Sequence, residues 1–215
     1  MRYGVLSDIH GNFAALEAVW DALTREGLTA DQPVLNAGDN VGYGNAPFEC
    51  LRFLQDRPNI LTVQGNYDKN VALFPEKEAE YRKKWGKVRP EKFDALKRDS
   101  GLITDADRDW LLELPKEQDL TLDGTRIVLT HYSPGGKEGL GRWTSDTRLR
   151  EIAEETPAQV VICGHTHSPF IRRVGGVLFV NPGTVGRSWF GGACYGILTL
   201  DSDMPPVAEL LQVKK

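Results

Sequence analysis

The sequence predicts an α/β domain built from two packed sheets. Over roughly the first 65 residues, short apolar runs alternate with amphipathic helical patterns, the signature of βαβ units and a parallel sheet. From about residue 120 the pattern changes to closely spaced apolar runs separated by Asp-Gly and Gly-Gly turns, which reads as a second, strand-rich sheet. The length, 215 residues, fits one domain with a modest insertion.

The elements follow in order. Tyr3 to Ser7 is an apolar strand. Asn12 to Arg25 carries apolar residues at 13, 16, 19, 20 and 23, a stripe that predicts an amphipathic helix. Pro33 to Asn36 is a second strand, and Pro47 to Gln55 a second helix with proline in its first turn. Ile60 to Val63 is a third strand. Residues 71–118 read as two or three helices inserted after it, so that the chain forms one domain over 1–215 with a helical insertion. Within this stretch Thr104 and Asp107 resemble a capping box. Leu120 to Leu122 and Arg126 to Thr130 form a hairpin around Asp123-Gly124. Asp146 to Glu155 is helical and Val160 to Cys163 a strand. Phe170 to Val174 and Val177 to Val180 form a second hairpin, and Tyr195 to Leu200 and Val207 to Val213 are the last strands.

Composition narrows the function classes. Lys plus Arg number 26 against 30 Asp plus Glu, a net charge of -4 that disfavours an extended nucleic-acid surface. The insertion is locally basic, with nine basic and six acidic residues between Glu76 and Asp99, but an excess of three reads as a solvated helical face. Tyr81, Trp85 and Phe93 within it read as packing residues. No apolar run reaches the ~18 residues of a membrane span, and the first residues lack a signal-peptide pattern. Three scattered cysteines, Cys50, Cys163 and Cys194, offer neither a disulfide framework nor a CxxC zinc site, so a reduced, cytoplasmic protein is expected.

Chemistry concentrates in a few short motifs: Asp8-Ile-His10, Gly38-Asp39-Asn40, Gly65-Asn66-Tyr67-Asp68, Gly164-His165-Thr166-His167 and the single His131. In a chain of this composition Asp-x-His is expected roughly 0.3 times by chance, Gly-His-x-His only about 0.01 times. All four histidines fall in this set. Each motif follows a predicted strand, and in open α/β sheets the ligand crevice lies beyond the carboxyl ends of the strands. Asp8, His10, Asp39, Asn66, His131, His165 and His167 are seven candidate donors, too many for one four-coordinate ion. Two ions sharing a carboxylate fit better, and mixed imidazole and carboxylate donors suit Mn, Fe, Zn or Ni over Mg or Ca. Two metals about 3.5–4 Å apart are the usual apparatus for in-line displacement at phosphorus. Asn12, after the Asp-x-His-Gly turn, and Arg187, after a glycine-rich loop, are candidate phosphate contacts. Asp68 is a candidate either to orient a ligand or to cap the following helix.

Taken together, the segments SDIHGN (7–12), AGDNVGYG (37–44), QGNYD (64–68), LTHYSP (129–134), CGHTHSPF (163–170) and NPGTVG (181–186) resemble the calcineurin-like metallophosphoesterases, in particular their small bacterial and archaeal phosphodiesterase branch. The resemblance implies a four-layer α/β/β/α sandwich of two mixed sheets. It implies that Asp8, His10, Asp39 and His167 hold one metal and Asp39, Asn66, His131 and His165 the other, with a metal-bridging hydroxide as nucleophile. Asp39, Asn66 and Tyr67 are then the candidate catalytic residues. Manganese heads the expected metals, two divalent ions per chain, and a small phosphate ester or nucleotide-like molecule is the expected substrate. The oligomeric state stays open, a homodimer being one option.

Two departures from the family pattern sharpen this. Protein phosphatases and diadenosine tetraphosphatases of the superfamily carry Asp-Arg shortly after the Gly-Asp, whereas Asn40-Val41-Gly42-Tyr43-Gly44 stands here, which argues against both activities. Much of the superfamily also has histidine after the Gly-Asn, where Tyr67 stands here. The rival expectation is a non-catalytic, metal-binding interaction scaffold of the same fold, as in a retromer subunit. The complete set of seven donors favours an enzyme.

Overall fold

A computed structural model describes residues 1–30, 32–188 and 191–214. The elements run β1 (Arg2–Leu6), α1 (Phe13–Arg25), β2 (Val34–Asn36), α2 (Pro47–Gln55), β3 (Ile60–Thr62), α3 (Asn66–Ala72), α4 (Phe74–Trp85), α5 (Pro90–Leu102) and α6 (Asp105–Glu113). They continue with β4 (Glu117–Leu122), β5 (Thr125–Thr130), α7 (Asp146–Glu155), β6 (Val160–Ile162), β7 (Phe170–Val174), β8 (Val177–Asn181), β9 (Gly192–Thr199) and β10 (Val207–Lys214).

Two mixed five-stranded sheets form the two central layers, with orders β10-β9-β1-β2-β3 and β4-β5-β6-β8-β7. The strands β1, β2 and β3 are parallel, as are β5, β6 and β8, while the outer partners run antiparallel. Facing apolar side chains weld the sheets together: Val5, Leu35, Val63 and Leu198 from one, Ile127, Leu129, Val160 and Val180 from the other. On the outer face of the first sheet, Leu16, Val19 and Leu23 of α1 pack on Leu6 and Ile197, with Phe53 and Leu54 of α2 beside them. Gly4 makes that contact possible, since a Cβ there would lie 2.9 Å from a Leu23 methyl. On the outer face of the second sheet, Leu149 and Ile152 of α7 cover Val128, Val161 and Phe179. The result is the expected α/β/β/α sandwich. Its long apolar runs are explained by strands buried on both faces.

Three helices, α4 to α6, lie within residues 71–118, where the sequence predicts two or three. A further one, α3, precedes them, seven residues that begin at Asn66 itself, with Gly65 as N-cap and Asp68 in the first turn. These helices share a core of Val71, Phe74, Tyr81, Phe93, Leu96 and Leu111, closed against Val41 and Leu51. Tyr81 and Phe93 are thus packing residues, with Trp85 at the margin. The strand β4 starts at Glu117, earlier than its apolar residues indicate, because it is an edge strand with alternating exposure that tolerates polar residues. Similarly, β9 starts at Gly192, before Tyr195, where paired residues are small rather than strongly apolar. Among the described residues no helix is long and apolar enough to cross a membrane. Cys50, Cys163 and Cys194 are free and buried, and burial pushes the Cys163 thiol up to about 12.

Candidate metal centre

The parallel strands of both sheets end at one edge, and each delivers a polar loop there. Asp8 and His10 follow β1, Asp39 follows β2, Asn66 follows β3, His131 follows β5, and His165 and His167 follow β6. Five of these residues sit in the left-handed region without being glycine: Asp8 (φ 53°), His10 (50°), Asp39 (56°), His165 (68°) and His167 (54°). Such a backbone costs energy at a residue with a Cβ and persists only where its surroundings enforce it. Here the loops lace each other: Asp8 N–H donates to Gly38 O at 2.8 Å, His10 N–H to Asp39 O at 2.9 Å, and Gly186 N–H to Asp8 O at 3.0 Å. Glycines permit the approach, since a Cβ at Gly65 would collide with Asp39 Oδ1 and one at Gly164 with Ser7 Oγ.

Two donor clusters result, Asp8–His10–His167 and Asp39–His131–His165, the ligating atoms of each lying within 4.8 Å of one another. In the first, Asp8 Oδ1 is 3.1 Å from His167 Nε2 and 3.6 Å from His10 Nε2. The two histidine Nε2 atoms are only 2.9 Å apart. In the second, Asp39 Oδ2 is 3.4 Å from His131 Nε2. The same oxygen is 3.9 Å from His10 Nε2, so Asp39 lies between the clusters.

Hydrogen bonds behind the donors set which atoms face forward. His10 Nδ1 meets Val41 O at 3.3 Å and His131 Nδ1 meets Ala37 O at 2.7 Å, so in each neutral ring the lone pair belongs to Nε2. Asp8 Oδ2 accepts from Ser7 Oγ at 2.6 Å and from His165 N–H at 3.0 Å, and Asp39 Oδ1 accepts from Tyr67 N–H at 2.7 Å. The forward atoms Asp8 Oδ1 and His131 Nε2 are buried without a hydrogen-bond partner. Buried polar atoms left unmatched are costly, and a divalent cation that takes their lone pairs, displacing any proton they hold, removes that cost. The residues therefore fit divalent ions.

Electrostatics agrees. Burial would raise both carboxyls, but the facing histidines outweigh it and hold Asp8 and Asp39 below the ordinary carboxylate value. Burial drives His10 down to about 4, with Asp39 and Asp8 opposing only in part. His131 goes the other way: the nearby charge of Asp39 overcomes burial and lifts it to about 9. His165 is lowered by burial and by the charge on His131.

Behind the site, Asp68 both caps a helix and orients the loop that carries a ligand. It accepts from Gly65 N–H at 2.8 Å, capping α3, and from the N–H groups of Asp39, Asn40 and Val41 at 3.0, 2.7 and 3.3 Å. Asn40 Nδ2 adds a further donation at 3.0 Å. Burial and the Asp39 charge push its carboxyl up to about 7, against the pull of those donors. Asp99 of α5 accepts from Gly42 N–H at 2.6 Å, so the helical insertion holds the whole loop after Asp39.

The other candidate residues occupy the rims. Asn66 opens α3, and its Oδ1 accepts from the Tyr132 hydroxyl at 3.0 Å. Tyr67 sets its ring edge-on to His10 at 5.1 Å, and its hydroxyl hydrogen-bonds that of Tyr43. Asn12 caps α1 through Ala15 N–H at 3.2 Å and donates to Gly186 O at 3.0 Å, so much of its amide serves the loops. Arg187 places its guanidinium 3.5 Å over the Tyr43 ring. Tyr43, Lys92, Asp99 and Tyr132 join the site although the motifs do not single them out. Lys92 puts its ammonium 4.4 Å over the Tyr67 ring, and the Tyr132 ring lies 4.5 Å from that of His165. Tyr43 and Tyr132 stand within superfamily-like segments. For Lys92 and Asp99, both on α5, no local sequence signal exists.

A family model described as the calcineurin-like phosphoesterase superfamily domain matches residues 1–203. The chain belongs to that superfamily. Among its relatives is an uncharacterized protein of Methanocaldococcus jannaschii, MJ0912, 26% identical over 181 residues, which are 84% of this chain and 68% of that protein. Two solved structures share the phosphoesterase fold. A hypothetical protein of Pyrococcus horikoshii, PH1004, superposes with a TM-score of 0.83 at 20% identity, covering 99% of this chain and 88% of the other. A metallophosphoesterase of Sphaerobacter thermophilus gives 0.75 at 24% identity, covering 100% and 89%. Membership accounts for the order in which the superfamily-like segments run along this chain, each at the end of a strand.

Proposed function

We propose that this phosphoesterase-superfamily chain is a two-metal phosphoric ester hydrolase, cleaving phosphodiesters slightly in preference to phosphomonoesters. In this reading Asp8, His10 and His167 hold one ion, Asn66, His131 and His165 the other, and Asp39 serves both. The observation that supports it is the meeting of two buried donor clusters at Asp39 Oδ2, 3.4 Å from His131 Nε2 and 3.9 Å from His10 Nε2. When bound, two divalent ions, manganese first among Mn, Fe, Zn and Ni, supply Lewis-acid polarisation of the phosphoryl group and an activated water.

The chain's own residues do the rest. Val41 O and Ala37 O fix the His10 and His131 rings, so neither reorganises as the ions seat. Arg187, held over Tyr43, and the second amide N–H of Asn12 are assigned to the phosphate oxygens. Burial and the Tyr43 hydrogen bond raise the Tyr67 phenol, which keeps its proton throughout the neutral range and can act only as a hydrogen-bond donor or acceptor. All four histidines belong to the donor clusters, which leaves none for general-acid work. Departure of the leaving group therefore rests on its own stability. The cavity beside Asn66 and Tyr132 leaves room for a second ester substituent, which favours diesters.

The test is turnover of bis(4-nitrophenyl) phosphate and 4-nitrophenyl phosphate before and after chelation and reloading. Hydrolysis of the bis-ester that disappears on chelation and returns with Mn²⁺ supports this reading. A fully loaded protein that turns over neither ester supports the interaction scaffold instead.

A further inference from the structure

We propose that the cavity on the Asn66 side of the metal centre is a subsite for a second phosphate group carried by the substrate; this rests on the hydrolase reading and deepens it. The cavity has a volume of about 820 Å³ and is lined in part by Asn66, Lys69, Lys116, Glu117, Tyr132 and Lys137. That volume exceeds what a lone phosphoryl group needs and falls in the range of small-ligand sites.

Its wall borders the metal centre through Asn66 and Tyr132. Asn66 and Tyr132 are joined by their 3.0 Å hydrogen bond, and the Tyr132 ring lies 5.0 Å from the His131 ring and 4.5 Å from that of His165. A molecule whose scissile phosphate sits at Asp39, His131 and His165 reaches this cavity by extending past Tyr132.

The charge of the walls identifies the ligand. Lys69 comes from α3, Lys116 from the turn before β4 and Lys137 from the loop after β5, so no helical repeat brings them together. Glu117 is the only acid among the lining residues, and its Oε2 already accepts from Gly135 N–H at 2.9 Å. Among the described residues, lysine ion pairs join Lys77 to Glu80 and Lys97 to Glu78, whereas Lys69, Lys116 and Lys137 make none. Three lysines without an ion pair thus line one cavity of a chain whose net charge is -4. Flexible lysine stems suit a tetrahedral polyanion that is held by charge more than by fixed geometry. The chemical class is a nucleotide-like ester bearing a second phosphate remote from the scissile one.

Two esters with one leaving group test this: thymidine 5′-(4-nitrophenyl phosphate) with and without a 3′-phosphate. Metal-loaded wild-type protein should show kcat/KM about tenfold higher for the 3′-phosphorylated ester, the size that three exposed charge contacts can supply together, chiefly through KM. In the combined Lys69→Met, Lys116→Met, Lys137→Met variant the ratio should fall to about one, whereas Lys83→Met on α4 should keep it. A wild-type ratio near one, or a ratio that survives the combined substitution, overturns the subsite. Calorimetric binding of thymidine 3′,5′-bisphosphate against thymidine 5′-monophosphate to the loaded protein separates the two readings. If neither ester turns over but the bisphosphate binds about tenfold tighter and loses that advantage in the variant, the hydrolase reading fails and the subsite stands. If esters turn over and the two nucleotides bind alike, the reverse holds.

Discussion

His10 and His131 are equally buried, each 1% exposed, and each turns Nδ1 to a backbone carbonyl, yet they hold protons oppositely. Burial takes His10 down to about 4, while Asp39 carries His131 up to about 9. Distance explains the difference. His131 Nε2 is 3.4 Å from Asp39 Oδ2, whereas His10 Nε2 is 3.6 and 3.9 Å from its carboxylates and 2.9 Å from another histidine nitrogen. Two donor sets of the same composition therefore start from different states. In the Asp8 cluster His10 is held neutral, whereas in the Asp39 cluster His131 holds a proton where a cation would sit. A close carboxylate on one side and a close second imidazole on the other thus set two equally buried histidines apart.

The sharpest way to break this comparison is to remove what the clusters share. Asp39→Asn should lower occupancy of both metal positions and cut hydrolysis by more than the about 100-fold typical of losing an outer partner. His10→Ala should empty chiefly one. Metal analysis of both variants by mass spectrometry checks this, and equal small losses would remove the bridging role.

Asp68→Asn comes next in size. Its carboxylate gathers the N–H groups of Gly65, Asp39, Asn40 and Val41, and the amide replacement cannot accept from all of them. Metal affinity should fall about 10–100-fold, and the fold should lose about 1–3 kcal/mol for the donors left unmade. Calorimetric unfolding and metal titration measure the two losses separately.

Proton bookkeeping sharpens the contrast between the histidines. At about pH 7.5, between the two histidine values, metal uptake should release about one proton, from His131, and none from His10. Titrations in two buffers of different ionisation enthalpy count it. In metal-free protein the raised His131 stabilises the fold fully below about pH 6.5 and loses that contribution as pH rises through about 9. The lowered His10 works against the fold as pH falls from about 6.5 towards 4, because the unfolded chain gains a proton that the folded one refuses. The Tm of the metal-free protein, as far as these two groups set it, should peak near about pH 6.5. A Tm that rises steadily from pH 7 to 9 would contradict the assignment.

The smallest expected effect concerns the Tyr67 ring, which stands edge-on to His10. Tyr67→Phe should slow alkyl esters about fivefold more than nitrophenyl esters, the value of one hydrogen bond at a poor leaving oxygen. Single-turnover rates against leaving-group pKa measure it. A flat dependence would leave the phenol a packing role over His10.

Much of the fold and of the donor set is legible in the sequence. Apolar runs such as Val160 to Ile162 read as strands because both faces are buried, and the donors stand out because each follows such a run. The start of α3 is not legible. Asp68 reads as a cap for a helix that follows it, whereas the helix begins at Asn66 and Asp68 caps Gly65 N–H from within its first turn. The left-handed backbone at Asp8, His10 and Asp39 leaves no trace in residue type, since it is imposed by lacing between loops distant in sequence. Lys92 and Asp99 reach the site from α5 only through tertiary packing, and nothing local marks them.

On the proposed function, two ions sharing Asp39 are needed for hydrolysis. Chelator-treated protein titrated with Mn²⁺, with bound metal and bis(4-nitrophenyl) phosphate turnover read from the same samples, tests it directly. Turnover should stay near background while the first equivalent binds, rise with the second and level off at two per chain. Full turnover with a single bound ion would contradict it.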